Sequence, residues 1–122
     1  MAKSIVSVFF FLLLVLSIDS GSLLKLANGQ GKTWCVAKPS ADAAALASNI
    51  DYACNYLGLK GQNCSQILPE GTCFDPDTLI NHASYAMNSY YQAYGRQPHQ
   101  CYFTDSALIS ISDPSYGNCQ YA

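Results

Sequence analysis

Charge is scarce in this sequence. Its 122 residues hold 6 Lys+Arg and 8 Asp+Glu, only 11% in all, with a formal net charge of −2. A nucleic-acid partner requires a dense basic face against the phosphates, and so few scattered cations cannot make one. A disordered chain would be more charged and less apolar than this one, which is 50% hydrophobic. The length allows a single domain and excludes the large α/β catalytic folds. There is no internal repeat and no low-complexity tract. No two cysteines stand at the close spacing of paired zinc ligands, so no metal site is expected, and no cofactor either.

A paired acid site is also missing. Glycoside hydrolysis usually needs two carboxylates at a defined separation. Asp42, Asp75 and Asp77 are explained by helix starts, Asp113 by a turn, and Asp51 by the polar side of a helix. Glu70 and Asp105 pair with nothing convincing. His82 and His99 could be bases, yet no serine sits in a nucleophile motif and the cysteines read as bridged. The protein is therefore read as a non-enzyme.

Long hydrophobic runs are limited to one place. Lys3 precedes Ile5 to Leu16, an apolar run of twelve broken only by Ser7, followed at once by small and polar residues. This is too short to span a bilayer comfortably and fits a signal peptide over residues 1–22, cleaved after Ser20 to Ser22, with Ala27-Asn28-Gly29 as a second candidate. The C-terminus carries no hydrophobic tail, so no membrane anchor is expected. The mature chain is expected to be secreted to the extracellular space and monomeric, with a flexible lead-in at 23–32.

What remains is rich in cysteine and tyrosine. Cys35, Cys54, Cys64, Cys73, Cys101 and Cys119 all follow the signal segment, and their number is even. In an oxidising compartment they read as three disulfides, with 15 possible pairings that spacing alone leaves open. Nine Tyr, one Trp and two Phe follow residue 22. So small a core cannot hide them all, and exposed Tyr beside amides suits either a neutral sugar or a protein interface. Asn63-Cys64-Ser65 is a glycosylation sequon, with Asn63 a candidate for partial occupancy.

The periodicity predicts a helix from Asp42 to Leu57, with Ser40 as N-cap and Gly58 as its stop. A second helix is predicted to run to Tyr94, opened by Asp75 as N-cap and Pro76 at the first position. Strand-like content follows at Tyr102-Phe103 and Ala107 to Ile111, with Cys119 to Tyr121 as a short pairing strand. On the second helix, at about 100° per residue, Leu79, Ala83, Ala86, Met87, Tyr90 and Tyr94 form one face. The opposite face carries Asn81, Tyr85, Asn88 and Gln92, a ring among amides that could stack on a pyranose and bond its hydroxyls.

Several stretches together make a pattern: Trp34-Cys35-Val36-Ala37-Lys38-Pro39, Gly71-Thr72-Cys73-Phe74-Asp75-Pro76-Asp77, His82 through Gln92 (HASYAMNSYYQ), Cys101-Tyr102-Phe103 and Asp113 through Cys119 (DPSYGNC). This pattern resembles the X8 domain, carbohydrate-binding module family 43 of plants, over about residues 33–121. The resemblance implies a small disulfide-rich α+β fold with two main helices, a short antiparallel β-sheet and three disulfides. It also implies the bridges Cys35–Cys101, Cys54–Cys64 and Cys73–Cys119. It implies binding of β-1,3-glucan such as callose in the plant cell wall or apoplast, with a separate glucanase as a further partner. Together with the helix-face argument it points to Tyr85, Asn88 and Tyr91 as ligand contacts, then Asn81, Gln92 and Phe103. Trp34 is expected to pack. Two departures stand out, a long segment between Cys54 and Cys64 and Pro69-Glu70-Gly71 in place of a Pro-Gly-Gly. The competing reading is a secreted protein-interaction or defence protein that uses its aromatic surface.

Overall fold

A computed structural model of the chain describes residues 31–122. The signal segment, and the lead-in as far as residue 30, lie outside the described residues. From Thr33 onward the order is strand β1 (Trp34–Ala37), helix α1 (Ala43–Gly58), helix α2 (Leu79–Ala93) and strand β2 (Ala107–Ser110). Short 3₁₀ turns occupy Ser65–Ile67, Pro98–Cys101 and Phe103–Asp105. The result is a small disulfide-rich α+β domain.

Helix α1 forms because its first turns are alanine-rich, and alanine has the highest intrinsic helix propensity. Its N-cap is Asp42, whose Oδ1 accepts the Ala45 amide at 2.7 Å, and not Ser40. A carboxylate there also complements the positive end of the helix. Gly58 lies inside the helix; the left-handed residue that turns the chain away is Gly61, with φ 71°.

Helix α2 starts later than Asp75 and Pro76 suggest. The Asp75–Pro76 peptide is cis and lies in the preceding loop, and Thr78 is the N-cap, accepting the Asn81 amide at 3.2 Å. The helix ends at Ala93 with Tyr94 as its C-cap, and the next residue, Gly95, has a φ of 109° that lets the Arg96 amide fold back to the Tyr91 carbonyl at 2.9 Å.

Strand β2 pairs antiparallel with β1, in the register Cys35 to Ile109 and Val36 to Leu108. Residues 119–121 do not form the second strand; their one ladder contact is a bridge between Tyr116 and Cys119. Tyr102 and Phe103 are not extended either, because Phe103 begins a left-handed turn.

Helix α2 lies between two layers, with α1 on one side and β1 with the C-terminal segment on the other. One buried cluster joins Leu46 of α1 to Ala83, Met87 and Tyr91 of α2 and to Cys35 and Cys101. A second gathers Ala53, Ile67, Cys73, Ala86 and Cys119. Trp34 is buried in β1. The cysteines pair as Cys35–Cys101, Cys54–Cys64 and Cys73–Cys119. Gly71 passes so close to the loop before it that a Cβ there would lie 2.2 Å from the Gln66 carbonyl oxygen, which explains a glycine after Glu70.

Candidate functional site

The amide face of α2 is largely covered, with Asn88 fully buried and Asn81, Tyr85 and Gln92 partly so. It is the side on which β1 and the C-terminal segment dock. A strand at the edge of a two-stranded sheet has amides with no strand to receive them, and a buried unpaired amide is costly. Side chains one helical turn apart on α2 fill that role. The Cys35 amide donates to Asn88 Oδ1 at 3.1 Å, and the Ala37 amide to Ser84 Oγ at 3.0 Å. Asn88 Nδ2 donates to the Ala122 carbonyl at 3.1 Å, and Gln92 Nε2 to the Thr33 carbonyl at 2.8 Å. Asn81 Nδ2 donates to the Cys73 and Pro76 carbonyls, and its Oδ1 accepts from the Tyr116 hydroxyl.

Most of the residues expected to touch ligand are thereby accounted for inside the protein. Asn88 is 0% exposed and Tyr91 2%, so neither presents a surface to a polymer. The Tyr91 hydroxyl is bonded to Thr33 Oγ1 at 2.8 Å. Tyr85 is half-buried, edge-on to Tyr121 at 5.4 Å. Asn81 and Gln92 spend their amides on backbone carbonyls. Of the six, Asn81 lies at the edge of an open groove with Ser84, Tyr116 and Tyr121, and Phe103 lines a groove of aromatic rings.

The groove of rings is on the other side of α2. Its cavity of about 310 Å³ lies between α1, α2 and the segment 99–104, and its size is at the small end for ligand pockets. Tyr52 from α1, Tyr90 from α2 and Phe103 meet there as a triad of rings. Tyr52 and Phe103 centroids are 6.1 Å apart at 86°, Tyr90 and Phe103 5.7 Å at 75°, and Tyr52 and Tyr90 5.5 Å at 67°. These edge-to-face geometries are the favourable ones for aromatic quadrupoles. Tyr56 extends the cluster 4.5 Å beyond Tyr52, and Tyr94 stacks on Tyr90 at 4.7 Å. Lys60 Nζ caps Tyr94, 4.8 Å from its ring centre.

Two rings on this side are well exposed, Tyr102 at 61% and Tyr52 at 45%. Tyr90 is half-buried, and its phenol is pushed up to about 12, first by burial and then by its hydrogen bond with Tyr52. It stays a neutral phenol at any physiological pH. Asn49 and Gln100 also line the cavity, with their amides held by Ser106 Oγ and by the Tyr94 carbonyl. Ser48, His99, Tyr102 and Thr104 line it too, and among the described residues none of their side chains bonds to the protein. The lining holds no carboxylate. The chemistry on offer is therefore stacking on apolar ring faces, with rim hydroxyls and an imidazole for hydrogen bonding.

Tyr52, Tyr90 and Tyr102 escape the sequence argument, which places Tyr90 and Tyr94 on a core face. The signal that finds them is a pair of tyrosines at i and i+4 on each helix, Tyr52 with Tyr56 and Tyr90 with Tyr94. Such pairs line up along one helix surface. Two of them on facing helices make a ring cluster wherever the helices cross.

A stapled two-helix domain whose largest aromatic cluster faces a shallow, uncharged groove is a binding module in form. The X8 domain model matches residues 33–108, and the chain belongs to the X8 domain family. Among curated relatives, it is 48% identical over 90 residues to the major pollen allergen Ole e 10 of Olea europaea, covering 74% of this chain and 71% of that one. It is 46% identical over 94 residues to a glucan endo-1,3-beta-glucosidase of Triticum aestivum, covering 77% of this chain and 19% of the enzyme. It is 38% identical over 99 residues to plasmodesmata callose-binding protein 1 of Arabidopsis thaliana, covering 81% of this chain and 47% of the relative. The chain thus spans about half of the callose-binding protein and about a fifth of the glucosidase.

Proposed function

We propose that this protein is a non-catalytic module that binds β-1,3-glucan of the callose type, on the groove built from Tyr52, Tyr90, Tyr102 and Phe103. The observation that carries the reading is the groove itself, which combines exposed rings, neutral rim donors and acceptors, and no carboxylate. A neutral polysaccharide asks for apolar faces against its C–H faces and for hydroxyl partners, and it has no use for charge. Two relatives support the choice of glucan by their names, one a callose-binding protein and one an enzyme on 1,3-linked glucan. Hydrolysis needs a pair of acids beside the bound sugar, and the lining offers none. The site of action is the plant apoplast and cell wall, with the protein secreted and acting as a monomer or beside a separate glucanase.

The test is a tyrosine-fluorescence titration of the purified, disulfide-bonded protein. Laminari-oligosaccharides are compared with cello-oligosaccharides, and the same samples are assayed for new reducing ends. Saturation with the 1,3-linked series alone, without new reducing ends, is expected. No response to either series would transfer the aromatic surface to a protein partner.

A further inference from the structure

The segment that forms one wall of the groove has an unusual backbone. Phe103, Thr104 and Asp105 are consecutive non-glycine residues with φ of 45°, 52° and 63°. The left-handed region is disfavoured for every L-residue with a Cβ, and a β-branched residue is its worst tenant. Thr104, at φ 52° and ψ 46°, is that residue.

Contacts on both sides hold the turn in place. Lys38 Nζ donates to Asp105 Oδ1 at 2.6 Å, and the Lys38 amide to the Ser106 carbonyl at 2.9 Å. Asn49 Nδ2 donates to Ser106 Oγ at 2.7 Å, while Ser106 Oγ and its amide both donate to the Phe103 carbonyl. Cys101, two residues before Phe103, is bridged to Cys35. A strained backbone persists only where its surroundings over-determine it, and such places cluster at ligand-holding sites.

Glycine or asparagine would relieve this backbone at once, so the threonine has to be explained by its side chain. Inside the protein that side chain does nothing: it is exposed and bonds to no described residue. It does line the groove beside Phe103.

We propose that Thr104 is a ligand contact, a hydroxyl presented by the strained turn to bond a glucan hydroxyl while the neighbouring Phe103 ring takes the sugar face. This rests on the glucan reading given above. It adds a polar contact and a reason for the backbone conformation.

Three variants of the disulfide-bonded protein test it, each with thermal melting and titration by laminari-oligosaccharide. Thr104→Val keeps shape, branching and backbone strain and removes only the hydroxyl. It is expected to melt with the wild type and to lose affinity by about threefold to tenfold, the worth of one hydrogen bond. Thr104→Ser keeps the hydroxyl and is expected to bind within about twofold of wild type. Thr104→Asn, which tolerates the left-handed region, is expected to raise Tm by about 4 °C or more as strain is relieved. A Val variant that binds like wild type overturns the contact. An Asn variant with no rise in Tm overturns the strain. Wild-type protein that fails to bind laminari-oligosaccharides overturns the glucan reading itself, and the contact with it.

Discussion

Asn88 Oδ1 accepts the amide of Cys35 at 3.1 Å, joining residues 53 positions apart at a point where neither is exposed. The same oxygen accepts from Gln92 Nε2 at 3.1 Å, and the Asn88 amide nitrogen reaches Ala122. One side chain thus ties helix α2 to β1 and to the end of the chain. Ser84, one turn earlier, does the same for Ala37. The polar stripe of α2 takes the place of a third strand.

Removing that strut is the first prediction. In Asn88→Ala the Cys35 amide is left buried without an acceptor, at a cost of about 2–3 kcal/mol. For a domain of this size that lowers Tm by roughly 10–20 °C. Affinity of the folded protein for laminari-oligosaccharides should stay within about twofold, because Asn88 has no surface in the groove. Melting followed by far-UV circular dichroism, and titration below the transition, separate the two effects. A large loss of affinity in protein that melts like wild type would return Asn88 to the ligand site.

The contrast between Tyr102 and Tyr85 tests the proposed binding face. Tyr102 is exposed beside the groove, and Tyr85 packs against Tyr121. A sugar face that covers about 60 Å² of ring gains about 1.5 kcal/mol at the usual area coefficient. Tyr102→Ala should therefore weaken glucan binding by about tenfold and leave Tm unchanged. Tyr85→Ala should lower Tm and leave binding unchanged. The reverse pattern in a paired titration and melt would move the site to the other side of α2.

How much of this was legible before the structure depends on the kind of signal. The helices announce themselves through alanine content in α1 and apolar periodicity in α2. The α+β architecture and the three bridges follow from the family pattern, since spacing leaves the pairing open. The amide stripe is ambiguous in sequence because Asn and Gln on a helix look the same whether they serve a sugar or a neighbouring backbone. Only the docking of β1, 40 to 60 positions away, decides between them. Pro76 looked like a helix start because proline suits that place, yet Thr78 supplies the cap. The groove was hidden for the opposite reason. It is assembled from Tyr52, Tyr90 and Phe103, which no single periodicity brings together, and its wall depends on a left-handed turn at residues that do not advertise one.

The disulfides should differ in weight. Cys35–Cys101 closes 66 positions, Cys73–Cys119 46 and Cys54–Cys64 only 10. Loop-closure entropy then assigns about 4 kcal/mol to each of the two long bridges and about 3 kcal/mol to the short one. Paired Cys→Ala variants compared by urea unfolding should follow that order. Binding should respond differently from stability. Cys101 immediately precedes Tyr102, so C35A/C101A should also lose glucan affinity, whereas C54A/C64A should keep it. Equal affinity in both folded variants would mean that the groove wall is set without the Cys35 bridge.

Alkaline pH offers a readout that needs no ligand. Two tyrosines hold their protons more tightly than an ordinary phenol at 10.0. Tyr90 is raised to about 12 by burial and by its bond with Tyr52. Tyr121 is raised further, first by burial and then by Tyr116 and Tyr85 nearby. For both, the folded state binds the proton that the unfolded state releases above pH 10. The stability they confer is fully present below pH 10 and is lost as pH rises through the folded values. Tm should thus be level in this respect up to about pH 9.5 and fall steeply from pH 10 to 12. Spectrophotometric titration of the native protein should show a fraction of the phenolate absorbance, that of Tyr90 and Tyr121, lagging and appearing in full only on unfolding. Tyr121→Phe removes one ionisable group from the folded interior while keeping its ring against Tyr85, so its Tm should fall less steeply across the same range. A variant with the wild-type slope would show that Tyr121 is not among the groups that couple folding to alkaline pH.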